Sequence, residues 1–283
     1  MTKKNFPEQH QAPPGKEWEM NPKPVYDDPN KKGCGLLTNK TAIITGGDSG
    51  IGRAVAVAFA KEGADIVIAY LKANKDAEET KATVEGYGRK CVAVCADLRQ
   101  EASAQQVADE TVKAFGKIDV LVNNIAVQYP QNSIADISAE QLDETFRTNV
   151  FSYFFMTKAT LPHLEAGSTI INTASITAYK GSADLLDYSS AKGAIVSFTR
   201  SLSISLLKNG IRVNAVAPGP VWTPLITSSF SPQKVAEFGS DVPVQYAAQP
   251  AQLAPTYVYL ASDASSYVSG QVLHVNGGVI VDS

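Results

Sequence analysis

The stretch that decides the fold is Thr45-Gly46-Gly47-Asp48-Ser49-Gly50-Ile51-Gly52, followed by Arg53. It joins a short apolar run, which predicts a strand, to a stretch whose apolar residues have helical spacing. Gly46 permits a sharp exit from the strand, Gly50 removes a side chain where a phosphate would approach, and Gly52 lets helix and strand lie close together. Unpaired amides and the positive dipole end at the start of that helix favour anions. The stretch therefore predicts a phosphate-binding turn.

The rest of the chain alternates similar apolar runs with longer stretches of helical spacing. Continuous apolar runs are typical of parallel strands that helices cover on both faces. The alternation predicts an α/β fold with a doubly wound parallel seven-stranded sheet, a Rossmann fold, in which ligands bind at the carboxyl ends of the strands. The predicted strands are Ala42–Thr45, Ile66–Tyr70, Cys91–Ala96, Val120–Asn123, Thr169–Thr173, Arg212–Ala217 and Val272–Val275.

The first 36 residues differ in composition from the remainder, because six prolines lie among charged and amide residues there. Proline has no amide donor, so this segment favours neither an interior helix nor a central strand. Two interpretations stay open: a disordered tail, or an extended arm laid over the globular body or a neighbouring subunit. We expect a proline-rich arm, residues 1–36, followed by a single domain, residues 37–283. The candidate anchors of the arm are Trp18, Met20, Val25 and Tyr26.

Composition excludes several classes of partner. Hydrophobic residues make up 44% and charged residues 19% of the 283 residues, as in a globular protein with a large core. The formal net charge of -3 argues against nucleic acid as a partner. No run reaches the roughly 18 apolar residues that span a bilayer, and residues 1–30 lack the apolar core of a secretory signal. We expect a cytoplasmic protein with no membrane partner.

Cysteine and histidine are too few and too scattered to predict a disulfide framework or a metal centre. Neither set has the spacing of metal ligands. We therefore expect reduced thiols and no metal. The residues concerned are Cys34, Cys91, Cys95, His10, His163 and His274.

A tyrosine and a lysine four residues apart, Tyr188 and Lys192, lie in a helix-competent stretch and so share one face of a helix. A free tyrosine has a pKa of about 10, and a nearby ammonium favours the phenolate and lowers that pKa. Ser175 follows the predicted strand Thr169–Thr173, where a hydroxyl can stabilise charge on a carbonyl oxygen. Asn149 lies within a helical stretch, which is mildly unfavourable for asparagine.

These features occur in an order that resembles the short-chain dehydrogenase/reductase family. The glycine turn reads T-G-x-x-x-G-I-G, and the segment Tyr188–Lys192 reads Y-S-S-A-K. Asn123-Asn124 is similar to the start of the family's N-N-A-G turn, from which this chain departs at Ile125 and Ala126. Met20-Asn21-Pro22 and the segment His274–Gly278 resemble a bacterial branch often described as general stress proteins or glucose/ribitol dehydrogenase homologues.

The resemblance implies an NAD(P)-dependent oxidoreductase that interconverts an alcohol and a carbonyl by hydride transfer. Tyr188 is the implied general acid/base, with Ser175 polarising the carbonyl. Lys192, together with a water that Asn149 holds, extends the proton relay through the coenzyme ribose. Asp97-Leu98 corresponds to the adenine contact and Pro218-Gly219 to the turn beside the nicotinamide. The implied coenzyme contacts are Gly46, Asp48, Ser49, Gly50, Ile51, Gly52, Tyr70, Asp97, Leu98, Asn123, Tyr188, Lys192, Pro218, Gly219, Val221 and Thr223.

The choice between NAD and NADP stays open. An acidic residue at the end of the second strand would bind the ribose 2′-hydroxyl and repel a 2′-phosphate. Tyr70 stands at this position, and the nearby Lys72 and Arg53 permit a phosphate without requiring it.

Substrate and assembly are less constrained. The segment 221–246 resembles a mobile lid over the substrate, and Gln128, Tyr129 and Leu185 are candidates for lining the pocket. A sugar, a polyol, a small ketone and a hydrophobic aldehyde all stay open. Family members are commonly tetramers, so we expect a homotetramer. Two alternatives to an active enzyme are a non-catalytic nucleotide-binding sensor or scaffold, and a protein whose arm recruits a partner.

Overall fold

The fold is built on one parallel sheet of seven strands. A computed structural model describes residues 3–281. The strands run side by side in the order β3-β2-β1-β4-β5-β6-β7, and every neighbouring pair is parallel. The predicted Rossmann fold is confirmed, with each strand within two residues of its predicted bounds. The strands are β1 Thr41–Thr45, β2 Asp65–Tyr70, β3 Cys91–Cys95, β4 Val120–Asn123, β5 Thr169–Thr173, β6 Arg212–Pro218 and β7 Val272–Val275.

Helices cover both faces of the sheet, which explains the continuous apolar runs. On one face, α1, α2 and α10 enclose a core that includes Phe59, Ile66 and Tyr257. On the other, α3, α5 and the end of α7 enclose a core that includes Ile43, Leu121 and Met156. The helices are α1 Gly50–Lys61, α2 Asn74–Gly86, α3 Glu101–Phe115, α4 Ala139–Phe146, α5 Ser152–Thr160, α6 Thr177–Lys180, α7 Leu186–Leu206, α8 Pro224–Ser229, α9 Pro232–Glu237 and α10 Pro250–Ala261. Within residues 3–281, none is long and apolar enough to cross a membrane.

The strand order reverses direction between β1 and β4, which pair with each other although two strands separate them in the chain. The crossovers on either side of this point diverge to opposite faces, so a crevice opens at the carboxyl ends of the strands. The turn between β1 and α1 lies at the edge of this crevice.

The glycine turn brings the backbone of α1 against the end of β1. A Cβ atom on Gly52 would lie 1.9 Å from the carbonyl oxygen of Gly46, so no larger residue fits there. Gly46 itself has a φ of 63°, a left-handed conformation that L side chains rarely adopt. These two glycines therefore have the backbone roles that the sequence predicts for them.

The described part of the arm lies on the body of its own chain. Phe6 stacks on Trp222 with ring centroids 3.7 Å apart, and the indole nitrogen of Trp222 donates to the carbonyl of Pro22 over 2.9 Å. Met20 is buried, and Tyr26 lies beneath the guanidinium of Arg53. Val25 is exposed, but its amide donates to the side chain of Gln249.

The contact between Gly52 and Gly46 makes a direct prediction about stability. We expect Gly52→Ala to lower the free energy of unfolding by more than about 2 kcal/mol, because overpacking against rigid backbone forces α1 away from β1. Urea denaturation followed by circular dichroism measures this change. Gly86→Ala is the matched control, since its added Cβ would meet no atom of the described residues within 4 Å. Equal losses in the two variants would contradict the close approach.

Candidate active site

A cavity of about 670 Å³ occupies the crevice at the carboxyl ends of the strands. Its walls come from the segments that follow β1 through β6, together with α8, α9 and part of the arm. Ligand pockets in proteins commonly have volumes of roughly 300–1,000 Å³. The cavity is therefore large enough for a small-molecule ligand and lies where the sheet topology predicts one.

The glycine turn gives this cavity a cradle with little side-chain bulk. Gly50 has a φ of 53°, and a Cβ there would lie 3.0 Å from Cγ2 of Thr223. The start of α1 faces the same region, so backbone amides and the helix dipole favour a phosphate group. A dinucleotide coenzyme fits these features: a cavity of sufficient size, a turn closed to larger residues, and an anion-favouring helix start.

Most of the predicted coenzyme contacts line the cavity, and two do not. Gly52 lies beneath the turn, where it packs α1 against β1. Asn123 is fully buried inside the sheet, and its amide donates to Oδ1 of Asn172 over 3.0 Å. Its neighbour Asn124 lines the cavity instead and donates to the backbone of Thr45. Because side chains alternate across a strand, only one of two adjacent asparagines can face the cleft.

Tyr188 and Lys192 both lie on α7, which brings their buried side chains to the cavity wall. Nζ of Lys192 donates to the carbonyl of Thr173 over 2.7 Å and to Oη of Tyr153 over 3.2 Å. The same nitrogen lies 5.7 Å from the ring centroid of Tyr188. Sequence reasoning missed Tyr153, because a helical tyrosine in an aromatic-rich stretch gives no signal of its partner 39 positions away.

In the protein without coenzyme, the pKa of Tyr188 lies above its ordinary value, so the lowering by Lys192 and an oxidised nicotinamide stays a prediction for the coenzyme-bound site. Burial raises the pKa of Tyr188 to about 12, and the nearby Ser175 hydroxyl opposes this only in part. Burial also lowers the pKa of Lys192 to about 7. Within residues 3–281, Lys192 has no carboxylate within 4 Å. Burial is therefore the main cause of both shifts, because the loss of water disfavours the charged form of each group.

Ser175 lies just past β5 and lines the cavity near Tyr188. Its Oγ accepts hydrogen bonds from the backbone nitrogen of Thr177 over 3.2 Å and from Oγ1 of Thr177 over 3.0 Å. A hydroxyl has two acceptor positions and one proton to donate. Because Thr177 occupies the acceptor positions, the proton of Ser175 is left to donate to another oxygen.

Asn149 lies outside the cavity walls, in a π-helical turn at Arg147–Phe151 that joins α4 to α5. Its Oδ1 accepts from the amide of Val127, and its Nδ2 donates to the carbonyl of the same residue, each over 2.8 Å. The side chain thus ties the helix to the segment that follows β4. The widened turn interrupts the regular α-helix at Asn149, and π-turns are frequent at functional sites.

The end of the cavity beside β2 and β3 carries several charged groups. Tyr70, Lys72 and Asp97 line it, as does Arg99, which pairs with Asp97 over 2.7 Å. Arg53 does not reach this space, although the sequence suggested that it permits a phosphate. It is 1% exposed, because its guanidinium pairs with buried carboxylates beneath α1. Lys72 alone of the two suggested cations faces the cavity.

The segment 221–246 forms α8 and α9 over the mouth of the cavity rather than an irregular loop. Trp222, Ile226 and Phe230 are buried there with Leu185 and Tyr188 in one apolar cluster. Thr223 begins α8 beside Gly50. Gln128 also lines the cavity; it is buried, and its Nε2 has no hydrogen-bond partner among residues 3–281.

Comparison with known proteins identifies the family. Residues 46–280 match the family model described as enoyl-(acyl carrier protein) reductase. The solved structure of a short chain dehydrogenase from Burkholderia cenocepacia J2315 in complex with NADP superposes with a TM-score of 0.81 and 29% identity, over 86% of this chain and 98% of that one. The chain belongs to the short-chain dehydrogenase/reductase family. A further family structure, 3-ketoacyl-(acyl-carrier-protein) reductase from Brucella melitensis complexed with NADH, has a TM-score of 0.78 and 32% identity, over 86% of this chain and 98% of its own.

Curated relatives within the short-chain dehydrogenase/reductase family extend over the arm as well. General stress protein 39 of Bacillus subtilis (strain 168) is 53% identical over 98% of both chains. Glucose and ribitol dehydrogenase of Daucus carota is 52% identical over 98% of this chain and 97% of its own. NADPH-dependent aldehyde reductase 1, chloroplastic, of Arabidopsis thaliana is 50% identical over 96% and 97%. The resemblance that the sequence suggests is confirmed, and the chain is an NAD(P)-dependent oxidoreductase.

The burial of Lys192 predicts how stability depends on pH. The pKa of about 7 in the folded protein lies below the ordinary lysine value of 10.5, so between these values the unfolded chain binds the extra proton. Stability therefore rises with pH across this window. We expect the free energy of unfolding of the wild type, relative to Lys192→Met, to increase between pH 7 and pH 10, as measured by urea denaturation.

Lys158→Met is the control, because the side chain of Lys158 is 76% exposed. Its difference from the wild type should stay flat over the same pH range. If the difference for Lys192→Met is also flat, Lys192 keeps its proton in the folded protein.

Proposed function

We propose that Tyr188 is the general acid/base of an alcohol–carbonyl interconversion, with Ser175, Lys192 and Asn149 as its partners. The observation that carries this proposal is the juxtaposition on one cavity wall of two hydroxyls, Tyr188 and Ser175, with a buried amine behind them. When bound, the nicotinamide coenzyme supplies or accepts the hydride. The chain itself has to bind the oxygen of the substrate and move one proton.

In the reductive direction, Ser175 donates a hydrogen bond to the carbonyl oxygen, since its acceptor positions are occupied by Thr177. Tyr188 gives the proton on its Oη to the oxygen as negative charge develops there. The raised pKa of Tyr188 keeps that proton in place at neutral pH, so the resting residue is ready to act as the acid. In the oxidative direction, Oη of Tyr188 has to accept the proton of the substrate alcohol.

Lys192 is proposed to stabilise the phenolate that remains. Its amine has three donor positions when protonated, and the carbonyl of Thr173 and Oη of Tyr153 occupy two of them. A third donor is left for the coenzyme or for Tyr188. We propose a positioning role for Asn149, whose side chain holds the segment at Val127 against the π-helical turn.

We propose that the coenzyme, NAD or NADP, occupies the cavity from the glycine turn to Tyr188. The proposed contacts are Gly46, Asp48, Ser49, Gly50, Ile51, Tyr70, Asp97, Leu98, Lys192, Pro218, Gly219, Val221 and Thr223, all of which line the cavity. Gly52 and Asn123 are proposed to support the site from beneath it. Lys72, which also lines the cavity, keeps a 2′-phosphate possible without requiring it.

We also propose that the protein assembles from several copies of the chain. Exposed apolar side chains on α5 and α7, among them Phe154 and Ile204, favour burial against further subunits. Members of the family are commonly tetramers, and together with these exposed side chains this supports a homotetramer.

We further propose a cytoplasmic location, an arm at 1–36 and a catalytic domain at 37–283. A non-catalytic sensor has no support, because the chain retains both Tyr188 and Lys192.

The catalytic proposal predicts the behaviour of Tyr188→Phe. We expect turnover to fall by roughly 10²- to 10⁴-fold, the usual contribution of a general acid, while coenzyme binding stays near the wild-type level. Turnover is followed by the absorbance of the reduced nicotinamide, and binding by its fluorescence. Tyr259→Phe, at an exposed tyrosine of α10, is the control and should keep full turnover. Near-wild-type turnover of the Tyr188→Phe variant would contradict the proposed mechanism.

The substrate is proposed to carry at least one hydroxyl group besides the carbonyl or alcohol that reacts. Gln128 supports this, because its Nε2 is buried at the cavity without a partner among residues 3–281, and an unmade hydrogen bond of a buried donor is costly. A hydroxyl of the substrate would satisfy it once the side chain turns toward the cavity. The names of the relatives from Daucus carota and Arabidopsis thaliana, a glucose and ribitol dehydrogenase and an aldehyde reductase, agree with a hydroxyaldehyde or polyol.

Two aldehydes that differ only in hydroxyl groups test the role of Gln128. We expect Gln128→Leu to lower kcat/KM for glyceraldehyde by about tenfold, the effect of one hydrogen bond, and to leave kcat/KM for propanal nearly unchanged. Gln106→Leu, on the exposed face of α3, is the control. An equal change for both aldehydes would show that Gln128 does not recognise a hydroxyl.

A further inference from the structure

The arm contacts the body at two places: the lid, which consists of α8 and α9, and the glycine turn. At the lid, the amides of Asn5 and Phe6 donate to the carbonyl of Ala236, and the amide of Gln11 donates to the carbonyl of Thr227. At the turn, Glu17 reaches the start of α1. The segment between these contacts crosses the mouth of the cavity, so the arm bridges the two parts that enclose the ligand.

Glu17 is an unusual residue for an N-terminal arm, because its side chain is only 2% exposed. Its Oε2 accepts a hydrogen bond from the amide of Gly50 over 2.6 Å, and its Oε1 lies 2.9 Å from Nη1 of Arg53. The amide of Glu17 itself donates to Asp76 over 2.8 Å. Burying a carboxylate is costly unless it is paired, and here both oxygens have partners. The arm is therefore fixed to the residue at which the phosphate-binding helix begins.

Pro13, Pro14 and Gly15 form part of the cavity wall itself. Gly15 lies so close to the lid that a Cβ atom there would be 2.3 Å from the carbonyl oxygen of Pro224. Pro224 is the first residue of α8 and follows Thr223, which lies against Gly50. Arm, lid and glycine turn thus meet at one place on the wall.

We infer that the arm completes the coenzyme cleft and that Glu17 is a positioning residue for the glycine turn. By binding the Gly50 amide and Arg53, Glu17 holds the turn in the left-handed conformation that the cradle requires. A turn that is already ordered loses less conformational freedom when a ligand binds, which increases affinity. This inference rests on the proposed coenzyme site and extends it to a segment outside the Rossmann domain.

The coenzyme dissociation constant of Glu17→Ala tests the inference. Measured by fluorescence titration of the reduced coenzyme, it should rise at least about tenfold, as for the loss of a charge-assisted hydrogen bond. Glu17→Gln should recover most of the affinity, because its amide oxygen still accepts from Gly50 while Arg53 keeps Asp76 and Glu79. Glu19→Ala is the matched control, since Glu19 lies two residues along the arm in an exposed pair with Lys16.

Hydrogen exchange separates positioning from a general loss of stability. In the coenzyme-free protein, the Gly50 amide should exchange faster in Glu17→Ala than in the wild type or Glu17→Gln, while amides in β4 and β5 stay equally protected. Adding coenzyme to the wild type should slow exchange at residues 15–17 of the arm. This second measurement needs no variant, so it holds even if Glu17→Ala fails to fold.

The outcomes are distinct. Equal dissociation constants in Glu17→Ala and the wild type, or no effect of coenzyme on exchange in the arm, would overturn the inference. If the wild type itself bound neither coenzyme, the proposed function would fail instead.

Discussion

The close contact between the backbones of α1 and β1 is the constraint on which the rest of the site depends. Because Gly52 has no side chain, α1 can begin directly beneath the turn, which lines the crevice. The strand order places the ends of β4, β5 and β6 around the same crevice. Residues that follow those strands, and α7 behind them, then complete a wall around whatever the turn binds.

Two buried cations flank the cleft, and the protein accommodates them differently. Arg53 is surrounded by carboxylates of the arm and of α2, so it is a fixed structural charge. Among residues 3–281, the hydrogen-bond acceptors of Lys192 are neutral oxygens, and burial lowers its pKa to about 7. An arginine keeps its charge in proteins, whereas the pKa of a lysine shifts readily when the side chain is buried. The responsive cation is the one beside the reactive phenol.

Much of the fold could be predicted from the sequence, because each strand is a local apolar run and the turn Thr45–Gly52 is contiguous. The pair Tyr188 and Lys192 could be predicted for the same reason, because helical periodicity puts both on one face. Contacts between distant segments could not be predicted. Nothing local indicates that Arg53 pairs with Glu17, or that Asn123 faces the sheet interior while Asn124 faces the cleft. The direction of the pKa shifts at Tyr188 and Lys192 depended on burial, which only the folded chain defines.

The route of the arm has a consequence for biosynthesis. The ribosome makes Pro22 and Val25 some 200 residues or more before their partners Trp222 and Gln249. Since a chain is made from its N-terminus and long-range contacts form late, the arm is made well before the segments that it contacts. These contacts can form only after the segments around Trp222 and Gln249 have been made, so the docking of the arm is a late step of folding.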